Sequence, residues 1–124
     1  MKIEGEVTTG LGKAAFFLSQ DFYVNEFKKN CGFIPFPGTL NIIVGEENLS
    51  QINEIKNNCE NIIEPDEGFG AVKFIEAKLE NKIMGAIVFP AKTTHEENYL
   101  EFIAEMKLRD ELNLKDGDCV TLDF

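Results

Sequence analysis

The sequence predicts a mainly β protein, a single closed β-barrel with short helices at its rim. Three observations carry this reading. Short runs of strand-like alternation recur along the chain, separated by turns that contain Gly, Pro and Asn. Few stretches have helical spacing, and those are short. Strands and helices do not alternate in the βαβ rhythm of a parallel sheet, and there is no repeat, linker or low-complexity segment.

The elements follow in order. "KIEGEVTTG" sets Ile3, Gly5 and Val7 against Lys2, Glu4 and Glu6, the pattern of a half-buried strand. "GLGKAA" is a glycine-rich loop, and "FFL" resumes an apolar run. Ser19 is placed to cap a short helix over "QDFYVNEFKKN", where Phe22, Val24 and Phe27 have near-helical spacing and Cys31-Gly32 ends the run. "TLNIIV" is a strand, and "NLSQINEIKNN" brings Leu49, Ile52 and Ile55 to one helical face. "GAVKFIEAKLEN" and "KIMGAIVFP" are two strands joined by a turn near Glu80-Asn81. "NYLEFIAE" is ambiguous: its aromatics favour a strand, its Glu and Ala a helix. It is read as a strand. "KLRDELNL" is a short helix, "KDGD" a turn and "CVTLDF" the last strand.

The 124 residues suit one domain with one core, and 44% hydrophobic with 27% charged residues is ordinary for a globular protein. No apolar run approaches the ~18 residues of a membrane span, and "MKIEGEV" lacks the apolar core of a secretory leader. The expected location is the cytoplasm. Cys31, Cys59 and Cys119 form no CxxC pair and there is one histidine, which argues for free buried thiols over a zinc site. A net charge of −10 opposes nonspecific binding to nucleic acid, which depends on neutralising phosphates. A small phosphorylated ligand needs only a local cluster of cations and N–H groups.

Two motifs carry chemistry. "GLGKAA" fails the Walker pattern, because Val7 stands where the first glycine belongs and Ala14 replaces Ser/Thr. It also lacks the crossover helix of a dinucleotide site. Its spacing fits a plain hairpin turn. It equally permits an anion cradle, with Gly10 and Gly12 freeing backbone N–H groups and Lys13 adding charge. In "PGTLN", a strand would send Thr39 and Asn41 to one side and Leu40 and Ile42 to the other. A hydroxyl beside an amide oxygen makes a pair of hard, neutral ligands of the kind Mg²⁺ takes alongside phosphates and water. Satisfying a turn is the plainer role for the same two residues.

Taken together, "GEVTTGLGKAAFFL", "GFIPFPGTLNIIV", "GAIVFPAKTTH" and "LEFIAEMKLRDELNLKDGDCV" resemble the archaeal CTP-dependent riboflavin kinases, from the first strand to the last and most weakly between Glu46 and Glu67. The resemblance implies a cradle-loop β-barrel spanning residues 1–124 as a single domain, without the N-terminal helix-turn-helix domain that some members carry. It implies transfer of the γ-phosphoryl of CTP to the 5′-hydroxyl of riboflavin, giving FMN and CDP. Mg²⁺ would sit on Thr39 and Asn41. Gly10, Leu11, Gly12, Lys13, Ala14 and Ala15 would cradle the nucleotide phosphates, and Lys107, Leu108, Arg109 and Asp110 would border the cytidine end. Thr93 and Glu101 would face the flavin, with Glu101 as general base. Members often carry Pro after the "IA" of the late strand, where this chain has Glu105. The expected partners are these small molecules alone, with no nucleic acid and no membrane, and the expected state is a monomer.

The final helix and strand also look like the tail of the AbrB-type swapped-hairpin barrels. The alternative function is therefore a non-catalytic, dimeric DNA-binding or interaction module, against which the acidic charge weighs. A further enzyme reading is a flavokinase that uses ATP.

Overall fold

The computed structural model describes residues 2–9, 21–63, 71–90 and 98–124. The expected phosphate loop Gly10–Ala15, the "FFL" run, the Ser19 cap and Thr93 lie outside the described residues.

Seven strands are described: β1 (Lys2–Thr8), β2 (Leu40–Val44), β3 (Ile62–Ile63), β4 (Val72–Leu79), β5 (Ile83–Pro90), β6 (Tyr99–Ile103) and β7 (Cys119–Asp123). With them are α1 (Asp21–Cys31), α2 (Leu49–Asn58), preceded by a 3₁₀ turn at Glu46–Asn48, and the single turn α3 (Leu108–Glu111). Strand order is β3-β4-β5-β6-β2-β1-β7, and β7 returns to pair with β4. Six strands therefore close into an antiparallel ring, with β3 added outside β4. Closure removes the exposed edges that an open sheet of this size would carry.

Alternation builds the interior. β1 buries Ile3, Gly5 and Val7 and exposes Lys2, Glu4 and Glu6. β2 sends Leu40, Ile42 and Val44 inward. These pack with Leu79, Ile87, Leu100, Phe102, Val120 and Leu122 in the barrel core, which α2 and α3 join through Ile52 and Leu108. Gly85 on β5 lies where β6 comes closest: a methyl there would run into the Ile103 carbonyl and the Phe102 ring. A second apolar cluster lies on the other side of the same strands. Tyr23 and Phe27 of α1 cover Phe74, Ala86, Val88 and Ile103, with the Phe27 and Phe74 rings edge-to-face at 5.7 Å. Burial on both faces explains why "GAIVFP" reads as a nearly continuous apolar run.

The sequence expectations hold for the barrel and for every described strand and helix foreseen above. The turn at Glu80-Asn81 is formed by two consecutive left-handed residues (φ 52° and 55°) and closed by Lys82 N–H on the Leu79 carbonyl at 3.0 Å. Two details differ. β3 was not foreseen, because two residues are too short to show alternation. The cysteines are free, but Cys31 and Cys59 are half-buried and Cys119 is exposed. Cys119 starts β7 on its outer face, so alternation turns it away from the core. Among the described residues, no helix is long and apolar enough to cross a membrane.

Candidate active site

The barrel's register brings distant polar residues together. Asn41 on β2 pairs with Thr8 on β1 and with Glu101 on β6, and Glu101 pairs with Val88 on β5. Thr8, Asn41, Glu101 and Val88 thus form one row across four strands, all on the outer face. Directly paired side chains have their Cβ atoms about 4.5–5.5 Å apart. Thr8, Asn41 and Glu101 are half-buried. Val88, at the end of the row, is buried under α1. One flank of the polar row is therefore apolar, which strengthens electrostatic interactions beside it.

Thr39 directly precedes β2 and is half-buried. Gly38 has φ 145°, a value that side chains rarely adopt, and Phe36 N–H bonds the Ala104 carbonyl at 2.7 Å, pinning the bend to the end of β6. Two residues apart, Thr39 and Asn41 share a side. The Asn41 amide nitrogen turns back to the Thr39 carbonyl at 3.4 Å, which directs the amide oxygen the other way. A hydroxyl and an amide oxygen make a neutral, all-oxygen donor pair of the kind a hard divalent cation takes alongside phosphates and water. Among the described residues, no three His, Cys, Asp or Glu side chains gather as a metal cluster.

An open cleft of about 570 Å³ is lined by Lys28 of α1, the run Gly32 to Pro37, and Glu105. Ile34 and Phe36 are 53% and 37% exposed. Sequence reasoning looked in "FIPFPGTLN" for its oxygen atoms and overlooked this lining. The adjacent aromatic and proline residues were the signal.

The second group of expected site residues surrounds α3. Lys107 and Asp110 form an exposed pair at 3.9 Å, while Leu108 is buried in the core. Arg109, the chain's single arginine, reaches β1. Its Nη2 donates to the Thr8 carbonyl at 3.0 Å and to Asp116 Oδ1 at 2.6 Å. Thr9 Oγ1 donates to Asp116 Oδ2 at 2.7 Å. The bond from Thr9 first, then the bond from Arg109 and its positive charge, hold the Asp116 carboxyl below its ordinary value of 3.8. The structure thus places Arg109 at the end of β1, next to Thr9, from which the Gly10–Ala15 segment continues. Neither Thr9 nor Asp116 was singled out from the sequence.

A closed antiparallel barrel that carries Thr8, Asn41 and Glu101 on one outer row, together with an open cleft, offers a small molecule both polar groups and a concave surface. Its family is given by sequence comparison. The family model "CTP-dep_RFKase", described as "Domain of unknown function DUF120", matches residues 7–124, and the chain belongs to this family of CTP-dependent riboflavin kinases. A riboflavin kinase of Methanobrevibacter smithii is 75% identical over 124 residues, the whole of both chains. One of Methanothermobacter thermautotrophicus is 42% identical over 94% of this chain and 93% of its own. One of Saccharolobus solfataricus is 36% identical over 99% of this chain and 73% of its own.

Proposed function

We propose that this protein moves the γ-phosphoryl group of CTP to the 5′-hydroxyl of riboflavin, yielding FMN and CDP. The observation that carries the proposal is the Asn41–Glu101 pairing. Glu101 lies opposite Asn41 of "PGTLN" in that register, and phosphoryl transfer to an alcohol is served by a carboxylate and a phosphate-binding cation site close together. Such transfer depends mostly on alignment and charge neutralisation.

Thr39 and Asn41 hold Mg²⁺ in this reading, and the ion, when bound, neutralises phosphate charge. Glu101 accepts the proton of the ribityl hydroxyl. Its half-buried place opposite Val88 keeps the carboxylate partly out of bulk water, within reach of a bound substrate hydroxyl. The cleft over Phe33 to Pro37 suits a flat tricyclic ring, since aromatic and proline faces stack on flavin and Lys28 stands at the rim. Thr93, which precedes β6 in the sequence, is assigned to the flavin. Gly10 to Ala15, with Lys13, cradles the phosphates as they leave β1, and Lys107 to Asp110 borders the cytosine end. The protein works in the cytoplasm as a monomer and binds no nucleic acid.

The test is incubation of the protein with riboflavin, Mg²⁺ and each of the four common nucleoside triphosphates in turn, scored for FMN. FMN is expected to form much faster with CTP than with ATP. Equal rates would remove the donor preference, and no FMN with any donor would remove the kinase reading.

A further inference from the structure

The "KDGD" turn, left without a role by the proposed reaction, joins two parts of the site. Asp116 accepts from Arg109 through one carboxylate oxygen and from Thr9 through the other, at 2.6 and 2.7 Å. The turn that carries it is locked to β1. Gly117 N–H bonds the Val7 carbonyl and Val7 N–H bonds the Asp118 carbonyl, both at 2.8 Å. Asp118 Oδ2 accepts Lys115 N–H at 2.8 Å, which fixes the turn's own shape. Gly117 has φ 93° with open space around it, so glycine serves the backbone there.

We infer that Asp116 is a positioning residue for the nucleotide, holding the end of β1 and the Lys107–Asp110 segment at a fixed separation. The inference rests on the proposed function, in which Lys107–Asp110 and the Gly10–Ala15 segment that follows Thr9 in the chain both touch the nucleotide. Thr9 immediately precedes Gly10, and Arg109 lies inside the second segment, so one carboxylate sets the spacing of two contacts that are distant in sequence. The chemistry requires an acid. Two donors converge on separate oxygens, whereas an amide has one oxygen and would turn its NH₂ toward a donor. An ion pair this exposed (34% and 56%) adds little to global stability. Its effect falls on local geometry.

The experiment measures CDP affinity by calorimetry, steady-state kinetics and thermal midpoint for wild type, Asp116→Asn and Thr9→Val. Asp116→Asn is expected to weaken CDP binding and raise the CTP KM about three- to tenfold. The riboflavin KM and the kcat at saturating CTP should stay within about twofold, with little change in midpoint. Thr9→Val should show a smaller change in the same direction, and the double variant should fall short of the sum. Unchanged CDP affinity in Asp116→Asn overturns the inference. So does a parallel rise in both KM values with a lowered midpoint, the mark of general scaffolding. A wild-type protein that binds CDP yet forms no FMN overturns the kinase reading alone, and the CDP affinities still decide this one.

Discussion

Single side chains divide the labour at the site. If Glu101 is the proton acceptor, Glu101→Gln keeps its shape and its place in the row but cannot take the proton. Its kcat should fall about 10²–10⁴-fold with CDP affinity nearly unchanged. A near-wild-type kcat would leave alignment and Mg²⁺ as the whole of the catalysis. Thr39→Ala and Asn41→Ala each remove one oxygen from a small donor set. Each should strongly reduce transfer at limiting Mg²⁺ while far-UV circular dichroism stays unchanged. Full activity in both would return "PGTLN" to the role of a turn. The thiols make a separate prediction. Burial, with the Glu76 charge adding to it, pushes Cys31 from 9.0 up to about 11. The folded state therefore holds this proton more tightly than the unfolded one. The stability this contributes is complete below pH 9.0 and is lost as pH rises through about 11. Alkylation at pH 8 followed by mass spectrometry should modify exposed Cys119 well before Cys31, since burial limits both access to Cys31 and its ionisation.

At the scale of elements, β5 and β6 fit without slack at Gly85. Gly85→Ala must displace the Ile103 carbonyl or the Phe102 ring. It should cost about 1–3 kcal/mol, read as a lower urea midpoint at unchanged slope. The bend before β2 tests the flavin placement. Phe36→Ala removes a cleft wall that is already 37% exposed, so it should raise the riboflavin KM and spare the CTP KM. Elements were legible where one face is wet and the other dry. Ile3, Gly5 and Val7 spell out β1 because Lys2, Glu4 and Glu6 lie between them. The role of α1 was not legible. Its Phe22, Val24 and Phe27 announced a helix, but periodicity cannot say which sheet face a helix covers, and here it covers the outside of the barrel. The Thr39 and Asn41 pair was legible from strand alternation. The placement of Glu101 opposite Asn41 was not, because it depends on register between strands far apart in the chain. The same holds for Asp116, which meets Thr9 across 107 residues only once the ring has closed.

For the whole molecule, closure is uneven. β4 and β5 pair along eight residues, whereas β4 and β7 meet at Lys78–Asp123 and Leu79–Leu122, helped by Glu80 N–H on the Thr121 carbonyl. In the order β4-β5-β6-β2-β1-β7, that thin seam lies diametrically across the ring from the β6–β2 seam bearing Asn41 and Glu101. Breathing motions should therefore begin on the far side. In hydrogen–deuterium exchange, the Glu80 amide should trade its proton early and the amides joining β2 to β6 late. Adding CDP should slow exchange around β1 and α3 and leave the Glu80 amide as fast as before. Uniform protection around the ring would contradict this. A barrel that loosens first at this seam relaxes on the side away from the proposed Asn41–Glu101 site, and the alignment on which phosphoryl transfer depends is left undisturbed.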